Sequence, residues 1–138
     1  KPDEDIRLPM RWSGAAHSGF SGTQPWHTGE AGDESVNVEA QKNDPASLLS
    51  HYRTLIALRK KYPALRTGET AILDMGTTAL FAALRSEGDE RILIIINLTD
   101  EAVQEYALPE TYVLQKNLGE RDLSAPISAY ETLIFTVE

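Results

Sequence analysis

Ile92-Leu93-Ile94-Ile95-Ile96, preceded by Arg91 and followed by Asn97-Leu98, is the stretch that decides the fold. An unbroken run of aliphatic side chains, all but one β-branched, favours extended backbone. Successive side chains of a strand point to opposite faces, so an apolar run fills both. It predicts a central strand covered twice, by a second sheet or by a helix. Left bare, such a segment would be an aggregation hazard.

Outward from this run the same grammar repeats. Short β-rich segments at 70–74, 78–85, 91–98, 102–108, 111–118 and 132–137 are separated by Gly76, Glu87-Gly88-Asp89, Thr99-Asp100, Pro109 and Gly119. They predict an all-β domain of about six strands. Before it, Asp44-Pro45-Ala46-Ser47 reads as a helix start, with Asp44 as N-cap and Pro45 where its missing N–H is harmless. Leu48, Leu49, Tyr52, Leu55, Ile56 and Arg59 then fall on one stripe, and Arg59-Lys60-Lys61 suits the negative end of the helix dipole. Pro63 disfavours helical geometry at Tyr62, so the helix is placed at 45–61 and a domain boundary at 62–66. The first 43 residues hold neither period and are punctuated by Pro2, Pro9, Gly14, Gly19, Gly22, Pro25, Gly29 and Gly32. They read as one long loop, whose Trp12, Phe20 and Trp26 expect a surface to pack on.

Composition excludes several classes. The chain has 138 residues, and a complete TIM barrel needs roughly 250, so any barrel enzyme here is a fragment. A net charge of −8, with no basic cluster beyond Arg59-Lys60-Lys61, disfavours nucleic acid. No stretch approaches the roughly 20 apolar residues of a membrane-spanning helix. The absence of cysteine removes disulfides and thiolate metal sites; we expect a cytoplasmic rather than a secreted protein. The chain opens at Lys1-Pro2-Asp3 with neither Met nor an apolar signal core, so an earlier segment is expected to be missing.

The search for chemistry yields little on its own. Carboxylates cluster at Asp3, Glu4 and Asp5, at Glu30, Asp33 and Glu34, and at Glu87, Asp89 and Glu90; each cluster reads as solvated surface and none as a catalytic pair. His17, His27 and His51 lack metal-ligand spacing, so no metal and no cofactor is expected, and calcium in a larger parent stays open. Ser13-Gly14 and Ser18-Gly19 lack the strand-to-helix context of a nucleophile elbow. Asn97-Leu98-Thr99 fits a glycosylation acceptor in form and reads as a turn signal. Arg7 is a rigid fork of donors suited to hydroxyls or carboxylates, and Trp12, Phe20 and Trp26 are flat faces that can stack on sugars or staple a loop.

Ile6-Arg7-Leu8-Pro9-Met10-Arg11-Trp12, then Gly19-Phe20-Ser21, then Gln24-Pro25-Trp26 resemble a signature of glycoside hydrolase family thirteen, the α-amylase family. In its α-glucosidase, oligo-1,6-glucosidase and trehalose synthase branches the signature reads RTPMQW, AGFS and PW. Val36-Asn37-Val38-Glu39-Ala40-Gln41 is similar to the family's INVEAQ, and Asp44-Pro45 with Ser47-Leu48-Leu49, Tyr52-Arg53 and residues 55–60 is similar to its last barrel helix. The chain departs from the pattern at Leu8, Arg11 and His17, where Thr, Gln and Asn are usual.

The resemblance implies a mainly β chain: residues 1–63 would be the end of a TIM barrel, and 64–138 a C-terminal antiparallel β-sandwich. It implies that the catalytic carboxylates precede Lys1, so no catalytic residue is expected here and the chain alone should be inactive. It implies that Arg7 lies near the non-reducing glucose of an α-glucoside substrate, with Trp12, Phe20 and Trp26 in loop packing or sugar stacking. The expected partner is the N-terminal catalytic barrel portion of the same enzyme. The alternative is a stand-alone carbohydrate-binding or structural β module.

Overall fold

The computed structural model describes residues 6–27, 36–108, 112–118 and 123–138. The chain divides into two compact units, Lys1–Ala57 and Leu58–Glu138.

In the second unit, β1 (Glu69–Leu73), β2 (Leu80–Glu87), β3 (Glu90–Asn97), β4 (Leu114–Asn117) and β5 (Thr132–Val137) form one antiparallel sheet in the order β1-β2-β3-β5-β4. The run that decides the fold is indeed central, since β3 pairs with β2 on one side and β5 on the other. Glu87 and Glu90 pair across a two-residue hairpin in which Gly88 takes φ +57, a conformation that tight, right-twisting hairpins assign to glycine.

The core lies on one face. Leu84, Leu93 and Phe135 are neighbours in register, as are Ala82, Ile95 and Leu133, and all six are buried. Met75, Ile127 and the half-buried Val103, Tyr106, Leu108 and Leu123 pack against them. On the opposite face Ile72, Ala83, Ile94 and Ile134 form a row across four strands, and of these only Ala83 is buried while Ile72 is 65% exposed. Ile92, also on that face, is fully buried where the turn Pro63–Leu65 packs on β2 and β3. The turn is held by both backbone groups of Ala64: its N–H donates to Glu90 Oε1 at 2.7 Å, and its carbonyl accepts from Arg85 Nε at 3.0 Å. Double coverage of β3 is thus complete at Ile92 and partial at Ile94 and Ile96.

Three sequence expectations change here. Residues 102–108 are not a strand: they contribute one isolated bridge, Val103 with Ile127, whose N–H groups donate to each other's carbonyls at 2.9 Å. Ala107 N–H instead donates to Met75 O at 2.8 Å, so the segment is spent covering the core rather than extending a ladder. The helix begins at Leu48 rather than Pro45, because the capping oxygen that reaches its first turn belongs to Ser47; Asp44 turns back on Ala46 N. Finally, the long opening loop contains a short 3-10 segment, Ala16–Gly19, and a helix, α1 (Val38–Lys42), ahead of the longer α2 (Leu48–Lys61). The acidic clusters at 3–5 and 30–34 lie outside the described residues.

Among the described residues no helix is long and apolar enough to cross a membrane.

Candidate functional site

The first unit carries the residues singled out in the sequence. Arg7 and Met10 are exposed, Trp12 and Phe20 are about half exposed at 51% and 52%, and Trp26 is 79% exposed with its ring 5.5 Å from that of His27. The glutamates and aspartate of the β2–β3 turn stand elsewhere: Glu87 and Asp89 are exposed, and Glu90 is occupied with Ala64. His51 is exposed on α2, and among the described residues no group of His, Asp and Glu is arranged to hold a metal ion.

A closed loop shapes the segment around Trp12. Trp12 N and Ser13 N both donate to Ser18 O, at 2.9 and 3.1 Å, and Phe20 N donates to His17 O at 3.0 Å. Closure this tight requires left-handed backbone at His17, Ser18 and Gly19, with φ of 56, 59 and 65. Side-chain-bearing residues in that conformation each cost about 1–2 kcal/mol. Gly19 meets this demand without strain, and a Cβ there would also require Ser13 Oγ to move. Gly19→Ala is expected to open the loop at a cost of about 1–3 kcal/mol. Limited proteolysis reads this as faster cleavage within 12–20; an unchanged cleavage rate would contradict it.

The carbonyls next to this loop are bound by α1. A helix leaves its first N–H groups without internal acceptors. Here Val38 N donates to Arg11 O at 3.0 Å, Glu39 N to Trp12 O at 2.9 Å, and Ala40 N to Asn37 Oδ1 at 2.9 Å. The other end of α1 is tied to α2. Gln41 Oε1 accepts from Leu49 N at 3.1 Å, while the Ser47 hydroxyl directs its proton at the Gln41 and Asp44 carbonyls, both 2.7 Å away, and accepts from Ser50 N at 3.2 Å.

Sequence reasoning took 36–41 only as part of a resemblance and missed this role. The signal was present: Asn37 and Ser47 are strong N-cap types, each directly ahead of a helix. Among the described residues of this unit, Asn37 and Ser47 are also the only buried side chains, at 8% and 7%. None of the described hydrophobic side chains of the unit is buried, and Leu48, Tyr52 and Ile56 along α2 stay 66%, 58% and 50% exposed.

Comparison with known proteins follows the same stretch. Residues 1–68 match the family model described as alpha amylase, catalytic domain. Over 138 aligned residues, 98% of the chain, it is 33% identical to an alpha-glucosidase of Candida albicans, of which it covers 24%. Over 94% of the chain it is 29% identical to a probable oligo-1,6-glucosidase of Bacillus subtilis (strain 168), of which it covers 22%. The crystal structure of the trehalulose synthase MutB from Pseudomonas mesoacidophila MX-45 superposes over 98% of this chain with a TM-score of 0.82 at 25% identity, covering 26% of that protein. The chain therefore spans about a fifth to a quarter of the length of the proteins it matches.

Proposed function

Since this chain belongs to the α-amylase family, glycoside hydrolase family thirteen, we propose that it is the C-terminal part of an α-glycosidase that hydrolyses, or transfers glucose from, short α-glucosides. In this reading residues 1–63 end the TIM barrel, α2 is its last helix, and 64–138 are the β-sandwich that follows. The catalytic carboxylates stand on the preceding part of the barrel, and the chain by itself does not turn over substrate.

The observation that carries the reading is the coreless first unit. Among its described residues most large apolar side chains, Ile6, Met10, Trp12, Trp26, Leu48 and Tyr52 among them, are half exposed or more, and no hydrophobic side chain is buried. Each such side chain gains about 1.5–3 kcal/mol on burial, so the unit lacks its main stabilising term until a larger body covers it. A catalytic barrel of the same polypeptide is that body, and the relatives of which this chain spans about a fifth to a quarter have the length to supply it. The Val103–Ile127 bridge is then the start of the sandwich's second layer.

Arg7 is the substrate residue of this part. Its guanidinium offers several N–H donors in a fixed plane, which suits vicinal hydroxyls of a terminal glucose or a carboxylate that holds them. Trp12, Phe20 and Trp26 form the wall around it, by packing the loop or by stacking on the sugar. In the whole enzyme Arg7→Ala is expected to lower kcat/KM for a small α-glucoside by at least about tenfold, the scale of one charge-assisted hydrogen bond. Kinetics equal to those of the wild type would remove Arg7 from the site.

The exposure of Trp26 keeps a second reading in view, a carbohydrate-binding module that acts by itself. Retardation of the natural polypeptide in a glucan gel, abolished by Trp26→Ala and without any α-glucosidase activity, would favour it.

A further inference from the structure

We propose that Asn37 is a positioning residue for the Arg7–Trp12 segment, acting through the first turn of α1. The inference rests on the reading of Arg7 given above. In a unit without a buried hydrophobic side chain among its described residues, a buried asparagine is the exception that calls for a reason. Its side-chain oxygen accepts from Ala40 N, and its carbonyl accepts from Gln41 N at 3.1 Å, which fixes where α1 begins. That starting point determines which N–H groups remain for other acceptors. They are those of Val38 and Glu39, and both are donated to the carbonyls of Arg11 and Trp12.

The far end of α1 is equally fixed, through Gln41 and Ser47, to the first turn of α2. Hence a continuous path of hydrogen bonds runs from the fourteen-residue helix to the segment that carries Arg7. An exposed segment of irregular backbone has no ladder to hold it, so its direction depends on such anchors. A side chain that must meet a sugar hydroxyl within hydrogen-bond range is sensitive to displacements of this kind.

The experiment is a mutant cycle in the full-length natural enzyme with para-nitrophenyl α-glucoside, measured well below each variant's unfolding midpoint. Arg7→Ala is made alone and in combination. Asn37→Ala is expected to lower kcat/KM by about tenfold, chiefly through KM, and the loss should nearly vanish when Arg7 is already alanine. Asn37→Asp keeps a capping oxygen and should stay within about threefold of the wild type. Val38→Pro is the second probe: proline suits the first position of a helix, yet it removes the N–H bound to Arg11 O and sets a methylene against that carbonyl. It should reproduce the Asn37→Ala defect with α1 intact, and it decides the matter if Asn37→Ala does not fold.

If Arg7→Ala is harmless, the reading of Arg7 fails and the positioning role fails with it. If Arg7→Ala is harmful but Asn37→Ala and Val38→Pro leave kcat/KM unchanged, or their losses add fully to that of Arg7→Ala, the positioning role alone is overturned.

Discussion

Replacing Asn97 with aspartate is expected to cost the sheet unit about 3–5 kcal/mol, although the two side chains have nearly the same shape. Asn97 ends β3 and is 1% exposed. Its Nδ2 group donates to the carbonyls of Glu101 at 2.7 Å, Ile127 at 3.1 Å and Ser128 at 2.9 Å. On the other side Oδ1 accepts from Thr99 N at 2.9 Å and from Thr99 Oγ1 at 2.8 Å. One amide thus joins the end of β3, the turn that follows it and the segment that leads into β5. Aspartate keeps the acceptor but turns a second oxygen toward three carbonyl oxygens in a buried site, where repulsion replaces attraction. Chemical denaturation followed by circular dichroism gives the result directly; a loss below about 1 kcal/mol would mean that the amide holds nothing. The same geometry disposes of the glycosylation pattern at Asn97-Leu98-Thr99, because the nitrogen that would carry the sugar is buried and fully engaged.

Leu93→Ala should cost about 3–4 kcal/mol, near the middle of the range for a leucine removed from a close-packed core. Leu93 has no exposed surface, and its cross-strand neighbours are Leu84 and Phe135, so the vacated volume is walled by side chains already fixed by the sheet. Ile94→Ala, one residue along on the opposite face, is the internal control. Its side chain is half-buried, and the loss should be smaller by at least about 1 kcal/mol. Equal losses at the two positions would show that both faces of β3 are packed alike.

How far the fold was legible follows from which forces set each element. The five aliphatic residues at 92–96 named the central strand correctly, because their chemistry leaves few other places for them. The 102–108 run misled because Val103, Tyr106 and Leu108 give it the composition of a strand while the backbone around them is spent on Met75 and Ile127. Periodicity reports which side chains are wanted inside and is silent on where backbone groups find partners. Asp44-Pro45 had the composition of a cap, and Ser47, three residues later, had the geometry. In the candidate site, Arg7 and the aromatics were visible as residue types. The support beneath them was not: Asn37 and Ser47 are readable as cap types, but the bonds of Val38 N and Glu39 N to the Arg11 and Trp12 carbonyls join residues far apart in sequence, and no local pattern records that.

The most direct test is the intact denatured mass of the polypeptide that carries this sequence in its natural source. A barrel enzyme with this chain as its C-terminal part predicts a mass several-fold above that of 138 residues. A mass equal to that of the 138 residues alone would contradict it, and would leave binding rather than catalysis as the role of the exposed aromatic loop.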